Sequence, residues 1–317
     1  MTAKISVMVP VYNSKDYLRE CLDSVFSQDY ENFEVVVSDD ASTDGGQEIL
    51  KEYAAKYKNM ILLLNEVNLG ITDNCHQALQ LCDGKYVVLF AGDDVMLPGK
   101  LSMQVEFMER NHDVAISYHS VEIFNSDTNT VLGYTSSTLA DETNNTVDII
   151  TKMGIDGSMS IMSRSSMVPK DIYKTNVKYI SDWLFQIEVS LAGKVVKLPG
   201  VWCRYRKYGT NNGKDLSRYL HEFEEVIEYV KKKYSKNSQL MNACNVGLAR
   251  FLAGEAFRNI AVGKKKQARA NLKRAVRLDT RPIYIMAYLF SFIPLGASAL
   301  QKVKYSLKKV LSQLGLL

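Results

Sequence analysis

Several things are scarce in this chain of 317 residues. Its five cysteines (Cys21, Cys75, Cys82, Cys203 and Cys244) show no C-x-x-C spacing. An odd, scattered set fits reduced thiols that pack as small hydrophobes better than a disulfide framework or a zinc site. Net charge is only +4, so the whole-chain balance gives no reason to expect a nucleic-acid partner. The charge is uneven, with acids in the first hundred residues and Lys/Arg after about residue 260. No signal peptide is expected, because Met1-Thr2-Ala3-Lys4 runs straight into an apolar strand pattern. An uninterrupted membrane-length run is lacking as well. Residues 283–300 come near to one, but Pro294 and Gly296 break it.

What is present is a pair of acidic clusters, each closing a short apolar run. Val35-Val36-Val37 leads into Ser38-Asp39-Asp40-Ala41-Ser42-Thr43-Asp44-Gly45, and Val87-Val88-Leu89-Phe90 leads into Ala91-Gly92-Asp93-Asp94. Apolar and β-branched runs bounded by Gly, Asp and Ser read as buried parallel strands. Carboxylates at the carboxyl ends of such strands face the crevice where open α/β sheets bind ligands. Two clusters there point to a cation and a phosphorylated ligand, because hard cations bridge carboxylates and phosphates.

The patterning predicts strands at 5–11, 33–37, 60–64, 85–90 and 114–118, alternating with helices at 15–27, 45–57, 71–81 and 99–111. Asn13 and Ser14 are candidate caps of the first helix. Residues 119–150 read as a hairpin and loops, 170–193 as a helix, and 195–198 and 201–205 as two short strands. From about residue 216 the pattern is helical, over 217–235, 237–261 and a stretch to Leu278 that resembles half a tetratricopeptide unit. The last stretch puts Val303, Leu307, Val310 and Leu311 on one face and lysines on the other, the pattern of an interfacial helix.

Taken in order, these pieces resemble the inverting glycosyltransferases of family 2, which have the GT-A fold. The resemblance rests on Val9-Pro10-Val11-Tyr12-Asn13, the Ser38–Gly45 cluster, Asn68-Leu69-Gly70, Asp83-Gly84-Lys85-Tyr86, and Ala91-Gly92-Asp93-Asp94 with Pro98, and covers about residues 4–210. It implies an α/β fold with a mixed, mostly parallel sheet flanked by helices, followed by a helical extension. The expected organisation is a catalytic domain over 1–212, a helical module over 213–280 and a membrane-associating tail over 281–317.

The resemblance also implies roles. Pro10, Tyr12, Asn13, Asp39, Asp40, Asn68, Gly70, Asp93 and Arg206 (or Lys207) would hold the nucleotide sugar, with Asp39 accepting a hydrogen bond from a uracil ring. Asp94 and Asp93 would hold Mg²⁺ or Mn²⁺, although Ala91 stands where relatives often carry a further Asp. Asp182, in Ile180-Ser181-Asp182-Trp183, would be the general base, with Asp156 the runner-up. Trp183 would be an acceptor platform or a core residue. Tyr208 stands at a position where relatives have His, and His76 reads as a buried, hydrogen-bonded histidine. Nothing like the Gln-x-x-Arg-Trp of processive synthases occurs, so single-sugar transfer is expected.

The expected reaction moves one sugar from a nucleotide sugar, a UDP-sugar, to a hydroxyl of a lipid-linked or polysaccharide acceptor. The expected site is the inner face of the cell membrane, peripherally bound, with the C-terminal helices available for oligomerisation. A polyprenyl-phosphate glycosyl synthase and a non-catalytic nucleotide-sugar-binding scaffold are the alternatives.

Overall fold

A computed structural model describes residues 2–135, 146–155, 157–208 and 217–292. The chain divides into two compact units, Met1–Gly213 and Lys214–Leu317.

The first unit is built on one mixed sheet. Its strands are β1 (Ile5–Val11), β2 (Phe33–Asp39), β3 (Met60–Leu64), β4 (Tyr86–Leu89), β5 (Val95–Met96), β6 (Val114–Asn125), β7 (Val131–Tyr134), β8 (Met162–Arg164) and β9 (Lys194–Lys207). The order is β3-β2-β1-β4-β8-β6-β9-β5, with β7 paired to β6. β3, β2, β1 and β4 run parallel, whereas β8 is antiparallel to both β4 and β6. Between them lie helices α1 (Lys15–Phe26), α2 (Gly46–Lys56), α3 (Ile71–Leu81), α4 (Lys100–Arg110), α5 (Thr146–Lys152) and α6 (Ser181–Ser190).

β1, β2 and β4 are buried along almost their whole length because both faces are covered, and the polar Ser6 and Glu34 within them bond each other at 2.6 Å. Ile5, Val7, Val9 and Val11 of β1 join Leu18, Leu22 and Val25 of α1, Leu50 of α2 and Leu101 and Val105 of α4 in one core. The alternate residue Met8, equally buried, points to the opposite face and lines a cavity there. Each fully buried aliphatic side chain contributes about 1.5–3 kcal/mol, so this layer fixes the sheet.

Three expectations change. The helix over 170–193 is confined to α6. Ile172, Tyr173 and Val177 are buried, but in turns bonded Ile172 N–H to Pro169 C=O and Lys174 N–H to Asp171 C=O. Their spacing imitates a helix because turns also bury residues three or four apart. The two short strands are one, β9, which bends at Gly200 (φ 92°) opposite register shifts in β6. The strand at 114–118 continues to Asn125, because β6 pairs along its length with β9 and then with β7.

The second unit contains α7 (Ser217–Lys233), α8 (Ser238–Ala261), α9 (Lys265–Leu278) and α10 (Pro282–Phe290). Asn237 caps α8 by accepting from the Leu240 N–H at 3.1 Å. α9 buries Ala268, Asn271, Leu272 and Ala275, an i, i+3, i+4, i+7 stripe, and keeps its basic residues on the remaining surface. Among the described residues no helix is long and apolar enough to cross a membrane. The tail over 293–317, including its amphipathic stretch, lies outside the described residues.

Candidate active site

The two acidic clusters sit on either side of the end of β1. Val11 pairs with Asp39, and the Asp40 N–H donates to the Val11 carbonyl at 2.9 Å. On the other side the Phe90 N–H donates to Met8 C=O (2.9 Å) and the Gly92 N–H to Pro10 C=O (3.3 Å). Gly92 permits this approach, since a Cβ there would lie 2.8 Å from Val11 Cγ2. Parallel pairing to one central strand therefore brings both clusters to one sheet edge.

Asp39 is fully buried. Its Oδ2 accepts from the Ser42 N–H (2.9 Å) and Gln47 Nε2 (2.7 Å), while Oδ1 is buried without a hydrogen-bond partner. Asp40 is spent locally: its carboxylate accepts from the Leu69 N–H (2.7 Å) and the Gly70 N–H (2.9 Å), and Asn68 Nδ2 donates to its carbonyl (3.2 Å). Asp40, Asn68 and Gly70 thus latch the β3–α3 loop to the end of β2. Asn13 ties two loops together, its backbone N–H donating to Ser42 Oγ and its side chain accepting from the Thr43 N–H. Ser14 makes no side-chain cap; Asp44 takes that role, accepting from the first N–H groups of α1 (Lys15, 2.8 Å) and α2 (Gly46, 2.8 Å). Tyr12 is half-exposed beside this cluster.

A cavity of about 740 Å³ opens next to it, lined by Pro10, Asp93, Asp94, Asp182 and Lys207, with Tyr134, Tyr173, Tyr179 and Tyr205. Asp94 Oδ1 accepts from the Arg206 N–H at 3.0 Å, and Oδ2 is buried with no partner. Burial and the neighbouring Asp93 charge push the Asp94 carboxyl up to about 8. Burial likewise raises Asp93, whose Oδ2 accepts from the Tyr208 hydroxyl at 3.2 Å.

Asp182 reaches the cavity from the start of α6 and is exposed. Its Oδ1 accepts from the Trp183 N–H (2.8 Å) and its Oδ2 from the Ser158 hydroxyl (2.6 Å). Trp183 is a core residue, buried, with Nε1 donating to Ile149 C=O. Asp156 lies outside the described residues.

Arg206 does not face the ligand space. Its side chain is buried, with Nε donating to Asp93 C=O (2.7 Å), its terminal nitrogens on Ser126 and Glu20, and its guanidinium over Tyr17 (4.6 Å) and Phe124 (4.8 Å). The aromatic faces and the carbonyl take up its guanidinium. The neighbouring Lys207 is exposed and lines the cavity. His76 also differs from expectation: its Nδ1 is buried with no hydrogen-bond partner. Ser158 carried no readable signal beyond its place in a Gly/Ser/Met-rich stretch. Gly154 and Gly157, which flank it at φ 98° and 80°, are the sequence trace of that turn.

Residues 6–168 match the family model "Glycosyl transferase family 2". An uncharacterized protein of Mycobacterium tuberculosis is 30% identical over 210 residues, covering 64% of this chain and 59% of its own. The poly(ribitol-phosphate) beta-glucosyltransferase of Bacillus spizizenii is 25% identical over 275 residues, 83% of this chain and 42% of that protein. The chain therefore spans less than two thirds of the length of these relatives. Among solved structures, residues 1–349 of Staphylococcus aureus TarS in complex with UDP-GlcNAc superpose with a TM-score of 0.69. That match covers 96% of this chain and 92% of the 1–349 fragment at 19% identity, a likeness of fold. With the match extending over half the chain and the GT-A sheet beneath it, the protein belongs to glycosyl transferase family 2.

Proposed function

We propose that the protein transfers a single sugar, with inversion, from a UDP-sugar to a hydroxyl of a lipid-linked or polysaccharide acceptor. The supporting observation is the cavity itself, which gathers Asp93, Asp94 and Asp182. Asp182 takes the proton of the acceptor hydroxyl as that oxygen bonds to the anomeric carbon. The bond from that carbon to the diphosphate breaks, and UDP departs with the electron pair. Lys207 faces the departing phosphates. The orphan Oδ1 of Asp39 favours a base that offers an N–H, as uracil does, over cytosine, whose ring nitrogen is an acceptor. The bound UDP-GlcNAc of TarS is consistent with that preference.

A divalent ion fits the residues present. Asp94 Oδ2 is a buried oxygen with no partner beside a second carboxylate, and Mg²⁺ typically takes one or two carboxylates with the rest of its shell from phosphate and water. Among the described residues no cluster of three or more potential ligands occurs, so the nucleotide would complete the shell. Mg²⁺ or Mn²⁺ held by Asp93 and Asp94 would supply Lewis-acid stabilisation of the leaving diphosphate.

We assign catalysis to residues 1–212 and attachment to the inner membrane face to the C-terminal part. Residues 264–317 carry twelve Lys or Arg against one acid, Asp279, while the preceding 263 residues carry 27 against 34. Ile285, Leu289 and Phe292 are exposed along one side of α10 and the turn after it. Near an anionic leaflet each basic residue contributes about 1 kcal/mol. A glycan at that face would be the acceptor.

A thermal-shift screen of nucleotide sugars with and without Mn²⁺ tests the donor reading. A ligand at a hundred times its Kd stabilises by about 2.7 kcal/mol. UDP-sugars with Mn²⁺ should raise Tm where CDP-sugars do not; equal shifts from both would refute the base assignment.

A further inference from the structure

We infer that Ser158 is a positioning residue for Asp182, part of a directed hydrogen-bond chain that begins at the backbone. The inference rests on the reading of Asp182 as the base. The Ile155 N–H donates to Gln186 Oε1 at 2.6 Å. That bond sets the amide orientation, because only the oxygen of Gln186 can accept. Nε2 of Gln186 therefore faces Ser158 and donates to its Oγ at 3.4 Å. With that lone pair taken, the hydroxyl hydrogen of Ser158 goes to Asp182 Oδ2 at 2.6 Å. The other carboxylate oxygen accepts from the Trp183 N–H in the first turn of its own helix at 2.8 Å. Both oxygens of an exposed carboxylate are thus fixed, each with a lone pair left for the acceptor proton.

The turn that carries Ser158 is itself fixed from behind. The Ser160 N–H donates to Gly157 C=O (2.8 Å), and Gln104 Nε2, buried in α4, donates to Ser160 C=O (2.9 Å). Gly157 has φ 80°, and a Cβ there would lie 2.9 Å from Val121 Cγ2. Gly154, at φ 98°, would put a Cβ 2.8 Å from Gln186 Oε1 and 3.1 Å from Trp183 Cδ1. Two glycines and a buried glutamine thus hold one hydroxyl against one carboxylate, an arrangement that solvation of a surface Ser does not require.

The test reads UDP release from UDP-GlcNAc with Mn²⁺, water serving as acceptor, alongside crystal structures of the variants. S158A should lower kcat roughly ten- to a hundred-fold, the cost of a misplaced reacting group. KM for the donor should stay unchanged, and S158T, which keeps the hydroxyl, should recover most of the loss. In the S158A crystal the Asp182 carboxylate should leave its position or split between rotamers. Wild-type kcat in S158A, or an unmoved Asp182 in its structure, overturns the inference. If wild-type hydrolysis proves too slow to follow, the position of Asp182 in the two crystals decides. D182N separates the two readings: retained turnover there removes the base assignment itself, whatever Ser158 does.

Discussion

Replacing Arg206 with Met distinguishes a structural cation from a ligand-binding one. The Arg206 backbone N–H donates to Asp94 and its Nε to the Asp93 carbonyl, yet the guanidinium is buried and turned away from the cavity. Its bond to Asp93 C=O is charge-assisted, contributing about 1.5–3 kcal/mol. The faces of Tyr17 and Phe124 add about 0.5–2 kcal/mol each, since both lie within 5 Å of it. The ion pair with Glu20, whose side chain is 53% exposed, adds little. Arg206→Met should therefore cost about 2.5–7 kcal/mol. For a unit of about 200 residues that is a drop in Tm of roughly 5–28 °C. Scanning fluorimetry with and without UDP and Mn²⁺ reads both quantities. The variant should melt early but keep a ligand-induced shift. Lys207→Ala should do the reverse, leaving Tm in place and shrinking the shift. An R206M protein that melts like wild type and no longer responds to UDP would refute this reasoning and return Arg206 to the diphosphate.

Gly84→Ala should destabilise by about 1–3 kcal/mol in urea, because the new Cβ would lie 2.5 Å from the backbone N of Ser6 on central β1; an unchanged midpoint would contradict the packing. His119 is pushed down to about 3 by burial and then by the Lys100 charge. The unfolded chain takes up a proton near pH 6.5 that the native one refuses. The stability this group contributes is full above 6.5 and is lost as pH falls toward 3, by up to about 1.4 kcal/mol per unit. Wild type should therefore lose more stability than H119Q between pH 6.5 and 5, and parallel urea midpoints would disprove it. Removing residues 281–317, with their exposed apolar side chains and five of the twelve basic residues, should weaken cosedimentation with phosphatidylglycerol vesicles; undiminished binding would place membrane contact elsewhere.

The parallel half of the sheet was legible because burial on both faces leaves uninterrupted apolar runs; β1 and α3 begin and end where the pattern says. The acidic clusters were legible for the same reason, since a strand end fixes where the next residues point. Arg206 was not, because burial of an arginine depends on Tyr17, Phe124 and Ser126, which are distant in sequence. Ser158 was not, because a serine acquires meaning only from the Gln186 and Asp182 that fold against it. The irregular stretch before α6 misled the helical reading because buried turns reproduce helical spacing.

Calorimetric titration of UDP into wild type and D94N, each with and without Mn²⁺, bears most directly on the shared site. Strong UDP binding is expected only in wild type with Mn²⁺. Equal UDP binding by D94N, or binding indifferent to the ion, would contradict it.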